Sequence, residues 1–178
     1  AIILANGSLS AGGQEAEIRK NIIEADLVDC IVAMPSNLFY TVTIPCSVWI
    51  INRNKKQKGH TLFINASNMG NMVTRKLREL TDEDIYKIAD TYHNYQNNVN
   101  YDDVLGYCKK STIDEIKSND YVLTPGRYVG TEEVKDDGVP FDEKIRTLSE
   151  ELKNQIQESN ELDEKIKIIL ENILNEKK

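Results

Sequence analysis

Two aromatic residues stand side by side in a polar connection, Phe39 and Tyr40 in "MPSNLFYTVTIPCSVWIINRNK", between two strand-like runs. The first run, Val28–Met34, stops at Pro35, and the second, Ile44–Asn52, starts beside Pro45. A connection that follows the carboxyl end of a strand is where open α/β sheets bind ligands. A ring placed there can stack on a planar ligand such as a nucleobase drawn out of a duplex; alternatively it folds back onto the sheet.

The other chemistry-bearing residues are weaker leads. From Arg53 to Arg78 there are seven basic residues (Arg53, Lys55, Lys56, Lys58, Arg75, Lys76 and Arg78) and no acidic one. Such a run suits phosphate contacts, although a solvated turn explains Lys55, Lys56 and Lys58 equally well. The net charge of −7 speaks against a general nucleic-acid binder, and the local positive run speaks the other way. "NGSLSAGG", Asn6–Gly13, follows a strand, but neither G-x-x-x-x-G-K-[ST] nor G-x-G-x-x-G is present, so it reads as a loop feeding a helix. His60 and His93 have no companion at ligand or triad spacing. The carboxylate pairs Asp102–Asp103 and Asp136–Asp137 fall in loop-like stretches. Cys30, Cys46 and Cys108 are too far apart for a zinc motif, and Cys30 and Cys46 lie in apolar runs that suggest plain core thiols. No self-contained catalytic centre is legible.

The elements that must position these residues are α/β in pattern. "AIILA", a helical stretch over Glu15–Asp26 and "LVDCIVAM" make a strand–helix–strand unit, which implies a parallel pair with a crossover helix. "IPCSVWIIN" and "HTLFIN" add two strands. Thr81 caps a helix over residues 81–96, with Ile85, Ile88, Ala89 and Tyr92 on one face. The short strand "YCKKS", a capped turn "STIDEIKSND" and the turn "TPGRY" follow. From Pro140 the chain is helical. Ile145, Leu148, Leu152, Leu162, Ile166, Ile169 and Ile173 form one heptad series interrupted at Gln155 and Ser159, either one long helix or two with a break near Ser159. Residues 131–178 carry fourteen acids and eight bases. The division expected is a sheet-bearing part over 1–130 and a tail over 131–178. No window reaches the roughly 18 to 20 apolar residues of a membrane span, no signal peptide is read, and the cytoplasm is the expected compartment. Ala1, not Met, opens the chain inside an apolar strand, so the expectation is the C-terminal part of something longer.

The run "EAEIRKNIIEADLVDCIVAMPSNLFYTVTIPCSVWIINRNK", with "LFINAS", "LTDEDIYKIADTY" and "DYVLTPGRYVG" in that order and the tail "LSEELKNQIQESNELDEKIKIILENI", is similar to the modification (M) subunit of type I restriction-modification systems. The likeness covers nearly the whole chain. It implies a Rossmann-like methyltransferase sheet in which Ala1–Ala5 is the fifth strand, Val28–Met34 the sixth and Ile44–Asn52 an antiparallel seventh. It implies adenine-specific methyl transfer from S-adenosylmethionine to duplex DNA by base flipping, with specificity (S) and restriction (R) subunits as partners. Phe39 matches the aromatic that such enzymes offer to the extruded base. Tyr40 and Thr43 are lesser candidates for the same pocket, and the tail would dock on the S subunit as a coiled-coil-like seam. The family's cofactor motif and its catalytic Asn-Pro-Pro-Phe/Tyr do not occur. The four prolines follow Met34, Ile44, Thr124 and Val139, so no Asn-Pro or Asp-Pro pair exists in the chain. The rival expectations are a non-catalytic assembly module and a free-standing nucleic-acid binder acting through residues 53–78.

Overall fold

A computed structural model describes residues 1–131 and 140–175, with side chains through residue 170. It divides into two compact units, Ala1–Glu132 and Glu133–Lys178. The first is a mixed α/β unit. In chain order it comprises β1 (Ile2–Ala5), α1 (Gln14–Glu24), β2 (Val28–Ala33), β3 (Cys46–Ile51), β4 (His60–Asn65), β5 (Asn71–Met72), β6 (Arg78–Glu79), α2 (Asp82–Asn97), β7 (Cys108–Thr112), α3 (Ile113–Ser118) and α4 (Gly126–Val129).

Five strands form one sheet in the order β1-β3-β2-β4-β7, and β5 and β6 form a separate hairpin. β1 and β2 point the same way, as the strand–helix–strand pattern required, but they are not neighbours. β3 lies between them, antiparallel to both, the orientation the resemblance implied. β2 pairs with β4 in parallel, and β4 pairs with β7 antiparallel. Pro45 has no N–H to give a ladder, so β3 begins one residue later, at Cys46.

β2 is buried along its whole length, which explains its near-continuous apolar sequence: helices cover both faces. On one face Ile31, Trp49 and Phe63 pack with Leu9 and Ile23, and with Ile116, Leu123 and Tyr128 from the α3–α4 region. The Phe63 and Tyr128 rings stack at 3.8 Å, fastening the "TPGRY" segment to β4. On the other face Cys30, Val32, Leu62 and Ile64 pack with Tyr95 of α2 and with Tyr107 and Cys108. All three cysteines are free and buried, and burial pushes each thiol pKa upward.

β1 lies at the edge of the described sheet, with Ile2 and Ile3 half-exposed. Beside it an apolar groove of about 400 Å³ runs along Ile2, Leu4, Ile18, Ile22 and Trp49. In α1 the helical period is right, but Ile18 is exposed and the buried positions are Arg19 and Ile23. The Arg19 guanidinium collects three carbonyls, Tyr121 O (2.7 Å), Ala11 O (3.0 Å) and Ser8 O (3.1 Å), so it ties the Asn6–Gly13 loop and the α3–α4 connection together.

α2 starts with a complete capping box. Thr81 Oγ1 accepts from Asp84 N–H and the Asp84 carboxylate accepts from Thr81 N–H. Among the described residues the second unit is one uninterrupted helix, α5 (Phe141–Asn175), about 52 Å long at 1.5 Å per residue. Gln155 and Ser159 do not break it. Ile145, Leu148, Leu152, Leu162, Ile166 and Ile169 are all exposed, as is Ile156, which carries the apolar stripe past Gln155. The side chain of Ile173 lies outside the described residues. No helix among the described residues is long and apolar enough to cross a membrane.

Candidate functional site

Because β2 and β4 run parallel, one edge of the sheet collects their carboxyl ends. The connection from β2 to β3 leaves from that edge, as does the segment from β4 to the β5–β6 hairpin. β1 ends there too, and Asn6 N–H donates to Pro45 O at 3.4 Å. The β2–β3 connection is closed at its base by Met34 N–H on Cys46 O, 2.9 Å, and Pro35 is buried beneath it. Asn37 takes a left-handed backbone, φ 66°, which asparagine tolerates better than most residues. Next comes a tight reversal, in which Val42 N–H donates to Phe39 O at 3.2 Å. The aromatics stand on this reversal. Phe39 is 44% exposed and Tyr40 82%, and Thr43 is exposed as well. Phe39 is thus not folded back into the core.

The basic stretch does not form one patch. β3 is antiparallel to β2, so the turn after β3 lies at the sheet's opposite edge, about 17 Å away for a strand as long as β4. Arg53, Lys56 and Lys58 are exposed there, with Lys56 Nζ on Asn97 Oδ1 at 2.7 Å. Lys55 departs from the expectation of a surface phosphate ligand. Only 5% exposed, it places its ammonium 2.5 Å from Asp26 Oδ1 and 2.6 Å from His60 O. Asp26 Oδ2 also accepts from Gly59 N–H at 2.9 Å, so this cluster closes the turn from within.

The remaining three cations belong to the hairpin at the Phe39 edge. Its tip is organised by Thr74, whose Oγ1 accepts from Lys76 N–H (3.2 Å) and Leu77 N–H (3.0 Å). Leu77 is buried, while Arg75 and Lys76 project outward and are exposed. Arg78 departs from its expected role too: it is half-buried, with Nη1 on the carbonyls of Met69 (3.0 Å) and Gly70 (3.1 Å). The hairpin is joined to the aromatic loop directly, by Arg78 N–H on Asn37 O (2.8 Å) and Asn37 Nδ2 on Lys76 O (3.3 Å). Neither Asn37 nor the role of Arg78 emerged from the sequence. The "PSN" before the aromatics marked a turn, but its partner lies 39 residues downstream.

On the same edge, beyond β4, a polar recess of about 390 Å³ is lined by Asn65, Asn68, Lys87, Tyr107 and Thr131. Lys87 Nζ sits 4.3 Å from the centre of the Tyr107 ring. A buried carboxylate, Asp29, belongs to the interior. Its Oδ2 accepts from Tyr92 Oη (3.0 Å), Asn52 Nδ2 (3.1 Å) and Gln96 Nε2 (3.3 Å). Burial, then the charge of Asp29, holds the Tyr92 phenol far above its ordinary pKa.

Comparison with known proteins accords with this arrangement. The family model for N-6 DNA methylases matches residues 1–137. The HindI type I restriction enzyme methylase subunit of Haemophilus influenzae is 54% identical over 168 residues, covering 94% of this chain and 38% of that protein. The MjaIX methylase subunit of Methanocaldococcus jannaschii is 49% identical over 173 residues, covering 95% of this chain and 31% of that protein. The present chain therefore spans well under half the length of these relatives. Among solved structures, the type I methyltransferase subunit from Streptococcus thermophilus superposes with a TM-score of 0.65 at 30% identity, over 74% of this chain and 26% of that one. The EcoKI M protein shares the fold at a TM-score of 0.55 and 12% identity, over 74% of this chain and 34% of that one. The chain belongs to the N-6 DNA methylase family, among the methylase subunits of type I restriction enzymes.

Proposed function

We propose that this chain acts as part of a type I adenine-specific DNA methyltransferase, supplying the ring on which the extruded target base stacks and a helix that docks on the specificity subunit. The observation that carries the reading is the exposed Phe39 ring on a short, pinned reversal at the carboxyl edge of the sheet. The exocyclic nitrogen of adenine is inaccessible inside a duplex, so the base must leave the stack. Stacking on an aromatic returns roughly 1–3 kcal/mol, which offsets part of the few kcal/mol lost on unpairing. Tyr40 and Thr43 flank the ring and would line the same pocket. The exposed cations on that edge, Arg75 and Lys76, are the proposed contacts to the flanking phosphates. Arg53, Lys56 and Lys58, at the far edge, would serve only DNA that extends well beyond the target.

S-adenosylmethionine is the methyl donor this family implies. The residues present do not fit it: the chain has no Asn-Pro or Asp-Pro pair, and the glycine-bearing loop after β1 is held by Arg19 through its own carbonyls, Ser8 O and Ala11 O. No step of methyl transfer is therefore assigned to these residues. The expectation for the isolated chain is no methyltransferase activity. Sequence choice would rest with the S subunit, and cleavage with the R subunit.

The test is Phe39→Ala in a full-length type I methylase carrying this sequence, with 2-aminopurine at the target position. Target fluorescence on binding should fall, and turnover should drop about tenfold or more, in line with 1–3 kcal/mol of lost stacking. Unchanged fluorescence and unchanged turnover would remove the stacking role.

A further inference from the structure

Arg78 is the cation whose surroundings suit something other than DNA. Its Nη1 donates to the Met69 and Gly70 carbonyls and its backbone N–H to Asn37 O, while its buried Nε has no hydrogen-bond partner. Gly70 N–H in turn donates to Asp84 Oδ2 at 3.0 Å, the carboxylate that completes the α2 capping box. At Gly70 the two segments touch through backbone: φ is +77°, and an added Cβ would stand 2.6 Å from Glu79 O. One continuous series of hydrogen bonds thus runs from the α2 N-terminus through Gly70 and Arg78 to Asn37, two residues before Phe39. The hairpin tip that bears Arg75 and Lys76 hangs from the same series, because Asn37 Nδ2 holds Lys76 O.

We propose that Arg78 is a positioning residue for the base-stacking loop: its guanidinium braces the β5–β6 hairpin against the Met69–Gly70 segment, so that its backbone N–H on Asn37 O is held in register and a phosphate grip by Arg75 and Lys76 sets where the Phe39 ring stands. The inference rests on the stacking role proposed for Phe39. Its physical basis is that one terminal nitrogen, Nη1, held in the rigid guanidinium plane, serves two carbonyls at once, whereas a lysine ammonium is a point charge on a flexible stem without that fixed geometry. A reacting group misplaced by about 1 Å loses on the order of a hundredfold in rate, so a loosened hairpin is felt at the base without any contact to it.

The experiment uses a full-length type I methylase carrying this sequence, assembled with its specificity subunit. Arg78→Gln, Arg78→Lys and Asn37→Gly are compared with Phe39→Ala on a paired duplex and on the same duplex with an abasic site opposite the target adenine. On paired duplex Arg78→Gln is expected to lower kcat about tenfold or more, with Arg78→Lys between it and the wild type. The salt dependence of DNA binding should not change. On the abasic duplex, where little unpairing energy is needed, kcat should return to within about twofold of the wild type. Recovery there also shows that the variant is folded. Asn37→Gly keeps the left-handed backbone and removes the amide, so it should show the same pattern in milder form.

Preserved kcat with a salt slope reduced by about one charge would make Arg78 a phosphate contact and overturn the proposal. An equal kcat loss on both duplexes would reduce it to a structural residue, again overturning the proposal. Wild-type turnover in Phe39→Ala sinks the stacking reading itself. Impaired Phe39→Ala beside unimpaired Arg78 variants sinks the positioning role alone.

Discussion

Lys55 and Asp29 show how a single residue's burial decides its job. Lys55 sits in a run of cations, yet it is enclosed with Asp26 and the His60 carbonyl. Lys55→Ala leaves the half-buried Asp26 carboxylate with the Gly59 N–H alone and the His60 carbonyl without its cation, a loss of about 1.5 kcal/mol for hydrogen bonds to a charged group. The expected outcome is a lower urea midpoint with no change in the salt dependence of DNA binding; a reduced salt slope would restore Lys55 to the surface. Tyr92→Phe removes one of three donors from Asp29 Oδ2 and should cost about 1 kcal/mol in the same measurement.

Among elements, the capping box of α2 has a pH signature. The Asp84 carboxylate is held below its ordinary pKa, first by the Thr81 N–H it accepts, with the Thr81 side chain, Gly70 N–H and Lys87 adding to the effect. A depressed carboxylate contributes stability that is complete above its unfolded pKa and is lost as pH falls through the folded value. The stability gap between wild type and Asp84→Asn should therefore be open at neutral pH and close on acidification below the ordinary carboxylate range. Urea titrations at a series of pH values measure it, and a gap independent of pH would mean that the charge is not what matters. Gly70→Ala meets both a left-handed backbone and a 2.6 Å clash with Glu79 O. It should destabilise by at least about 1 kcal/mol, and faster amide exchange should appear first in residues 66–80.

For the whole molecule, the test concerns α5. A helix of 35 residues whose apolar stripe stays exposed gains little from its own sequence and needs a surface to cover that stripe. Leu152→Glu combined with Ile166→Glu should abolish co-elution with the specificity subunit in size-exclusion chromatography. Retained co-elution would move the docking site off this helix.

The sequence alone determined the family and most of the elements, though not the β5–β6 hairpin. Local chemistry was sufficient for these: proline ends of strands, the Thr81 cap, the period of α5, and ordered motifs shared with type I methylase subunits. It also marked the Phe39 loop, because aromatics between two strand ends have nowhere local to pack. Tertiary structure decided which charges act together. Residues 53–78 read as one cationic run, but an antiparallel β3 sends its turn to one edge of the sheet while β4 carries the chain back to the other. Contiguity in sequence therefore became separation in space. The contacts that remained illegible, Arg19 on Tyr121 O and Arg78 on Asn37 O, join residues that are 102 and 41 positions apart. Each is made by a side chain or N–H meeting a backbone carbonyl, and since every residue carries a carbonyl, only the folded geometry says which one is met.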